Sequence, residues 1–175
     1  MKKIFLIAFA ASLMSVVSCG GGSDAKADEK GEAAQTEATA QSDFVDVDNG
    51  EFSFSHPKAL KATLTTSRVI NMKTDDKKAS LDMTLGKLGP AVEELNHYAT
   101  VNEDKKKNVG EEVDKPIVEG NVLKIRSVKD GVITQFFVIA HDGKRSITGE
   151  LKYDQSLAGE YDAYLDPIIK SYKFK

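Results

Sequence analysis

The chain has almost no cysteine. Cys19 is the only one in 175 residues, so no disulfide can form within a monomer. Long hydrophobic runs are missing too. The longest mostly apolar stretch, residues 4–17, falls short of the ~20 residues that a helix needs to cross a bilayer. Catalytic signatures are equally scarce. There is no Gly-x-Ser-x-Gly elbow, no glycine-rich phosphate loop and no His-Glu-x-x-His pair. The three histidines stand apart. His56 abuts Pro57 at a strand end, His97 lies on a helix beside Tyr98, and His141 leads into a turn, so no metal site is expected from them. Asp46-Val47-Asp48-Asn49-Gly50-Glu51 imitates the start of a calcium loop. Its glycine sits at loop position 5 instead of 6, and Pro57 stands where the bidentate carboxylate belongs, so a hairpin turn is the better reading. The short charge blocks Asp75-Asp76-Lys77-Lys78 and Asp104-Lys105-Lys106-Lys107 read as solvated faces. No catalytic, cofactor-binding or metal residue is expected, and no cofactor.

What is present begins with the N-terminus. Lys2 and Lys3 precede the apolar run, and small residues follow it: Ser18, Cys19, Gly20, Gly21 and Gly22. A short basic start, a short apolar core and a small-residue exit make residues 1–18 a signal peptide. Val16-Val17-Ser18-Cys19 resembles the lipobox of bacterial lipoproteins. That resemblance implies cleavage before Cys19 and acylation of its thiol, which as thiolate is a strong nucleophile. Two or more acyl chains suffice for stable anchoring. The membrane partner is therefore reached through lipid on Cys19. Gly20, rather than aspartate, follows the cysteine, as in outer-membrane members, so the expected location is the cell envelope at the outer membrane. Losing Lys2 and Lys3 with the leader shifts the formal charge from −3 to −5. Such a balance gives no general attraction to nucleic acid.

Residues 20–42 contain no aromatic and no Val, Ile or Leu. They cannot bury enough apolar surface to offset their ordering entropy. Asp24, Asp28, Glu29, Glu32 and Glu37 against two lysines favour extension, so residues 19–42 read as a lipidated cysteine and flexible tether. Residues 43–175 are long enough for one core and form a single domain. Phe44, Val45 and Val47 start a strand, Asn49-Gly50 turns the chain, and Phe52 and Phe54 alternate with polar neighbours until His56-Pro57. Alternation recurs over residues 60–66, 68–72 and 79–85. Pro90 opens a helix whose stripe is Val92, Leu95, Tyr98 and Ala99, with Glu93 and Glu94 early, Lys105 to Lys107 late and Gly110 as the stop. Residues 117–128 read as a long strand bent at Gly120-Asn121. Asp130-Gly131 then turns into a strand whose contiguous Phe136, Phe137, Val138 and Ile139 imply burial on both faces. Asp142-Gly143 is the next turn. Ser156 caps a last helix carrying Tyr161, Tyr164, Leu165, Ile168, Ile169 and Tyr172, which Pro167 should kink or restart.

This order resembles the PsbP-like family, named for a photosystem II extrinsic protein. The resemblance rests on the Phe-x-Phe strand ending at His56-Pro57, the mid-chain helix, the glycine-turned hairpins and the ending Ile168-Ile169-Lys170-Ser171-Tyr172-Lys173-Phe174. It covers residues 44–174. A tryptophan that many members carry after the proline is lacking; Leu60 is near that place. The resemblance implies an α+β fold, an antiparallel β-sheet with helices on both faces as an α/β/α sandwich. It implies little about activity, because such folds serve different tasks. Three readings stay open: a non-enzymatic binding or accessory lipoprotein with an envelope protein as partner; a small-molecule-binding or hydrolytic domain whose site assembles only in three dimensions; and a structural envelope protein.

Overall fold

A computed structural model describes residues 43–87, 89–141 and 145–175. The leader, Cys19, the tether and the expected Asp142-Gly143 turn lie outside the described residues. Eleven strands and three helices are described: β1 (Phe44–Asp48), β2 (Phe52–Pro57), β3 (Lys61–Thr65), β4 (Val69–Lys73), β5 (Ala79–Gly86), α1 (Leu95–Asn108), β6 (Glu112–Val113), β7 (Ile117–Glu119), β8 (Val122–Lys129), β9 (Val132–His141), β10 (Arg145–Asp154), α2 (Ala158–Tyr161), α3 (Leu165–Ser171) and β11 (Lys173–Phe174). The larger sheet has the order β3-β4-β5-β10-β9-β8-β6, with β7 also paired to β8. The smaller has the order β1-β2-β11. All pairings are antiparallel.

Side chains alternate across a strand, so a strand apolar at every position must be covered on both sides. β9 shows this directly. Ile133, Phe137 and Ile139 enter one buried cluster with Phe52, Phe54, Leu81, Leu151, Leu165 and Ile168. Phe136, Val138 and Ala140 enter another with Leu95, Ala99, Leu123 and Ile125. The small sheet and α3 thus cover one face of the large sheet, and α1 covers part of the other. The architecture is α+β with antiparallel sheets and helices on both faces. Beyond the reach of α1 the outer face is polar, carrying Asn71, Asp82, Thr148, Glu150 and Lys152, all half-buried. Facing Phe137 in the pairing of β9 and β10 is Gly149. A Cβ there would sit 2.2 Å from the Phe137 ring, so the glycine lets the aromatic lie flat on the strand.

Turn chemistry accounts for the hairpins. Asn49 Oδ1 accepts from the N–H groups of Glu51 and Phe52, and Gly50 takes φ +92°. Asp130 and Gly131 both have positive φ, the requirement of a two-residue type I′ turn.

Four local readings are corrected, and one short strand lies outside them. Gly120-Asn121 does not bend one strand; it reverses the chain between β7 and β8, which pair Glu119 to Val122. The two-residue edge strand β6 is too short to give a periodic signal in the sequence. Val92 lies in a 3₁₀ turn ahead of α1 and is 42% exposed, so the buried stripe is Leu95 and Ala99 with Tyr98 beside them. Asp154, not Ser156, caps the last helical region: its carboxylate accepts from the Ser156 N–H at 2.8 Å. The final helix breaks at residues 162–164 and restarts at Leu165. Pro167 then falls in the first turn of α3, where its missing N–H is harmless.

The family-like C-terminal ending has a structural explanation. Ser171 Oγ donates to the Ile168 carbonyl at 2.9 Å and accepts the Ser55 N–H at 2.8 Å, so one hydroxyl closes a helix and caps an edge of β2. Tyr172 leaves the helix and packs on Phe52, while Phe174 pairs with Phe52 in register. Lys175 pairs with Asp48, tying the chain end to the first hairpin.

Candidate functional site

The site begins with alternation on β8. Leu123 and Ile125 point toward α1, so Lys124 and Arg126 must point to the opposite face, toward α2 and α3. Register puts Gln135 of β9 directly opposite Arg126. The break between α2 and α3 brings Asp162 and Asp166 down to them. Tyr153 of β10 donates to Asp162 Oδ1 at 2.5 Å. Gln135 Nε2 donates to Tyr153 Oη at 2.6 Å and to Asp162 Oδ1 at 3.1 Å. The Arg126 guanidinium bridges two acids, Nε to Asp162 at 3.2 Å and Nη1 to Asp114 at 3.3 Å. Lys124 bridges Asp166 at 3.2 Å and Glu119 at 3.3 Å.

Beside this network lies an open cleft of about 390 Å³. Ile117 and Leu165 supply its apolar part, and Lys115 stands with the charged residues at its rim. Partial burial works against the charge on Asp162, yet the hydrogen bonds from Tyr153 and Arg126 outweigh it and hold the carboxyl below its ordinary range. Burial, reinforced by the bond to Asp162, pushes the Tyr153 phenol well above its ordinary value. Both groups move away from neutrality. The network thus holds Asp162 as a charged acceptor, with Tyr153, Gln135 and Arg126 as its donors.

The histidines are not brought together. His56 is buried, with Nδ1 at 3.0 Å from the Pro57 carbonyl oxygen and its ring against Phe54. Burial lowers its pKa, with the Pro57 carbonyl and the Asp46 charge pulling the other way. His97 is exposed on α1, and His141 stacks on Phe174 at 4.0 Å. None of the three lines the cleft. The calcium-like acids serve the first hairpin: Asp48 Oδ1 accepts the Gly50 N–H, and Asp46 accepts the Ser55 hydroxyl. They line a second, polar depression of about 540 Å³ with Ser53, Lys170 and Lys173. Among the described residues no group of three or more His, Cys, Asp or Glu is placed to hold a metal ion. No helix among them is long and apolar enough to cross a membrane.

Sequence spacing does not single out Arg126, Gln135, Tyr153 or Asp162. One signal was available. Gln135 is the polar residue that shares the buried face of β9 with Ile133, Phe137 and Ile139, and a buried amide needs partners.

No family model matches the chain, and no curated protein matches its sequence. Solved structures are similar in fold. One is the solution structure of cyanobacterial PsbP from Synechocystis sp. PCC 6803, with 12% identity and a TM-score of 0.49, over 76% of this chain and 93% of that one. Another is a crystal structure from Bacteroides thetaiotaomicron VPI-5482, with 13% identity and a TM-score of 0.44. It covers 74% of this chain, which spans about half (47%) of that longer one.

Proposed function

We propose that this chain is an envelope lipoprotein whose folded part is a non-enzymatic docking module for a protein partner. In this reading residues 1–18 direct export and Cys19 carries the lipid. Residues 20–42 then space the domain of residues 43–175 from the outer membrane. The observation that carries it is the state of the cleft. Its acids are matched by cations, Asp114 and Asp162 by Arg126 and Asp166 by Lys124. Matched charge around an apolar floor suits recognition and register, which is what interfacial charge does best. The test is affinity capture from detergent-solubilised membranes with the full-length protein. An envelope protein should enrich reproducibly over a control lipoprotein; repeated capture without such enrichment would count against the reading. A second reading, a small-molecule site, is favoured by the cleft volume, which falls inside the ~300–1,000 Å³ usual for such ligands.

A further inference from the structure

Three polar groups in the cleft remain unspent. Gln135 is only 5% exposed yet lines the cleft. Its amide orientation is dictated, because a flipped amide would set its carbonyl against the Asp162 carboxylate. With Nε2 committed to Tyr153 and Asp162, Oε1 accepts no hydrogen bond among the described residues. Arg126 commits Nε and Nη1, leaving Nη2 unengaged among those residues. Lys115 is exposed at the rim and forms no ion pair among them. The acids, by contrast, are spent: Asp114 and Asp162 on Arg126, Asp166 on Lys124. What the cleft lacks is therefore an anion, an N–H or O–H donor and an apolar group. The apolar demand comes from Ile117, 49% exposed, beside Leu165.

The geometry points to this cleft as the seat of an extended peptide segment of a protein partner, carrying a large aliphatic side chain next to a carboxylate. The inference rests on the docking-module reading and gives its partner a chemistry. The aliphatic group covers Ile117 and Leu165, the carboxylate meets Lys115 and Arg126 Nη2, and a main-chain N–H meets Gln135 Oε1. An extended backbone suits the place, because β7, which carries Ile117, pairs with β8 alone among the described strands. The chain's own residues 20–42 match the charge but contain no Val, Ile, Leu or aromatic to cover the floor.

The experiment is a nuclear magnetic resonance titration of the full-length, nitrogen-15-labelled protein in detergent. The probe is the acetylated pentapeptide amide Gly-Val-Leu-Glu-Gly, compared with versions carrying lysine for glutamate or two serines for the valine and leucine. The glutamate peptide should shift the Gln135 side-chain amide and the Ile117 amide saturably, and the other two should bind about fivefold more weakly. Lys115→Glu should invert the preference toward the lysine peptide, and Ile117→Asp should weaken the glutamate peptide. Equal binding of all three peptides, or shifts confined to other surfaces, overturns the inference. Deleting residues 23–41 tests the internal occupant. If that deletion alone moves the same resonances, the tether fills the cleft and the inference falls. Membrane capture separates the two readings. A partner captured equally by wild type, Lys115→Glu and Ile117→Asp overturns the cleft inference and leaves the docking module standing. A peptide titration that behaves as stated, with no captured envelope protein, supports the cleft and defeats the module.

Discussion

Asp162 is the residue on which the polar network converges. Tyr153, Gln135 and Arg126 all donate to its Oδ1, and it sits in the turn that joins two helices to the sheet. Asp162→Asn keeps the shape and removes the charge. It should destabilise the domain by about 1–2 kcal/mol at pH 7, the scale of a lost charge-assisted hydrogen bond at a partly exposed site. The pH dependence has a definite sign. Because the folded carboxyl is held below its unfolded value of about 4, its contribution is complete above that pH and is lost as pH falls through the folded value. Urea midpoints from pH 7 to pH 3 should show the gap between wild type and variant narrowing below pH 4; a gap constant across that range would contradict the assignment. None of this was readable from sequence spacing. Arg126, Gln135, Tyr153 and Asp162 are scattered along the chain, and only strand register and the helix break bring them together. The histidines, conspicuous in sequence, turned out to pack separately.

At the element scale, alternation was the dependable signal. The strands around Phe52 and Phe54, Leu81 and Met83, and Phe136 to Ile139 were legible because burial demands one residue type on one face. What failed was short or locally ambiguous. β6 has two residues and no period. Gly120-Asn121 supports a bend or a reversal equally well until pairing decides. A helical period running from Tyr161 to Tyr172 conceals the break at residues 162–164, since both pieces bury the same face. The Ser171 position illustrates how one side chain joins two elements. Ser171→Ala leaves the Ser55 N–H without its acceptor and should lower stability by about 1–2 kcal/mol. Hydrogen exchange at the Ser55 amide should accelerate more than at its neighbours in β2. Unchanged protection there would mean that α3 does not secure the edge of that strand.

For the whole molecule, the described residues form one α+β body whose two apolar clusters share the central sheet. Its formal charge is modest and negative, and no helix among the described residues is long and apolar enough to cross a membrane. In the proposed reading, attachment to a membrane falls to Cys19 and the segment around it. A docking module acts where it is held, and an accessory domain released into the periplasm would meet its partner at a far lower local concentration. The account thus depends most on Cys19. The direct measurement is metabolic labelling with an alkyne fatty acid, followed by membrane fractionation, for wild type and Cys19→Ser. Label and membrane association in the wild type, both lost in the variant, is the predicted result. Label retained in Cys19→Ser, or a wild-type protein that carries none, would contradict the account.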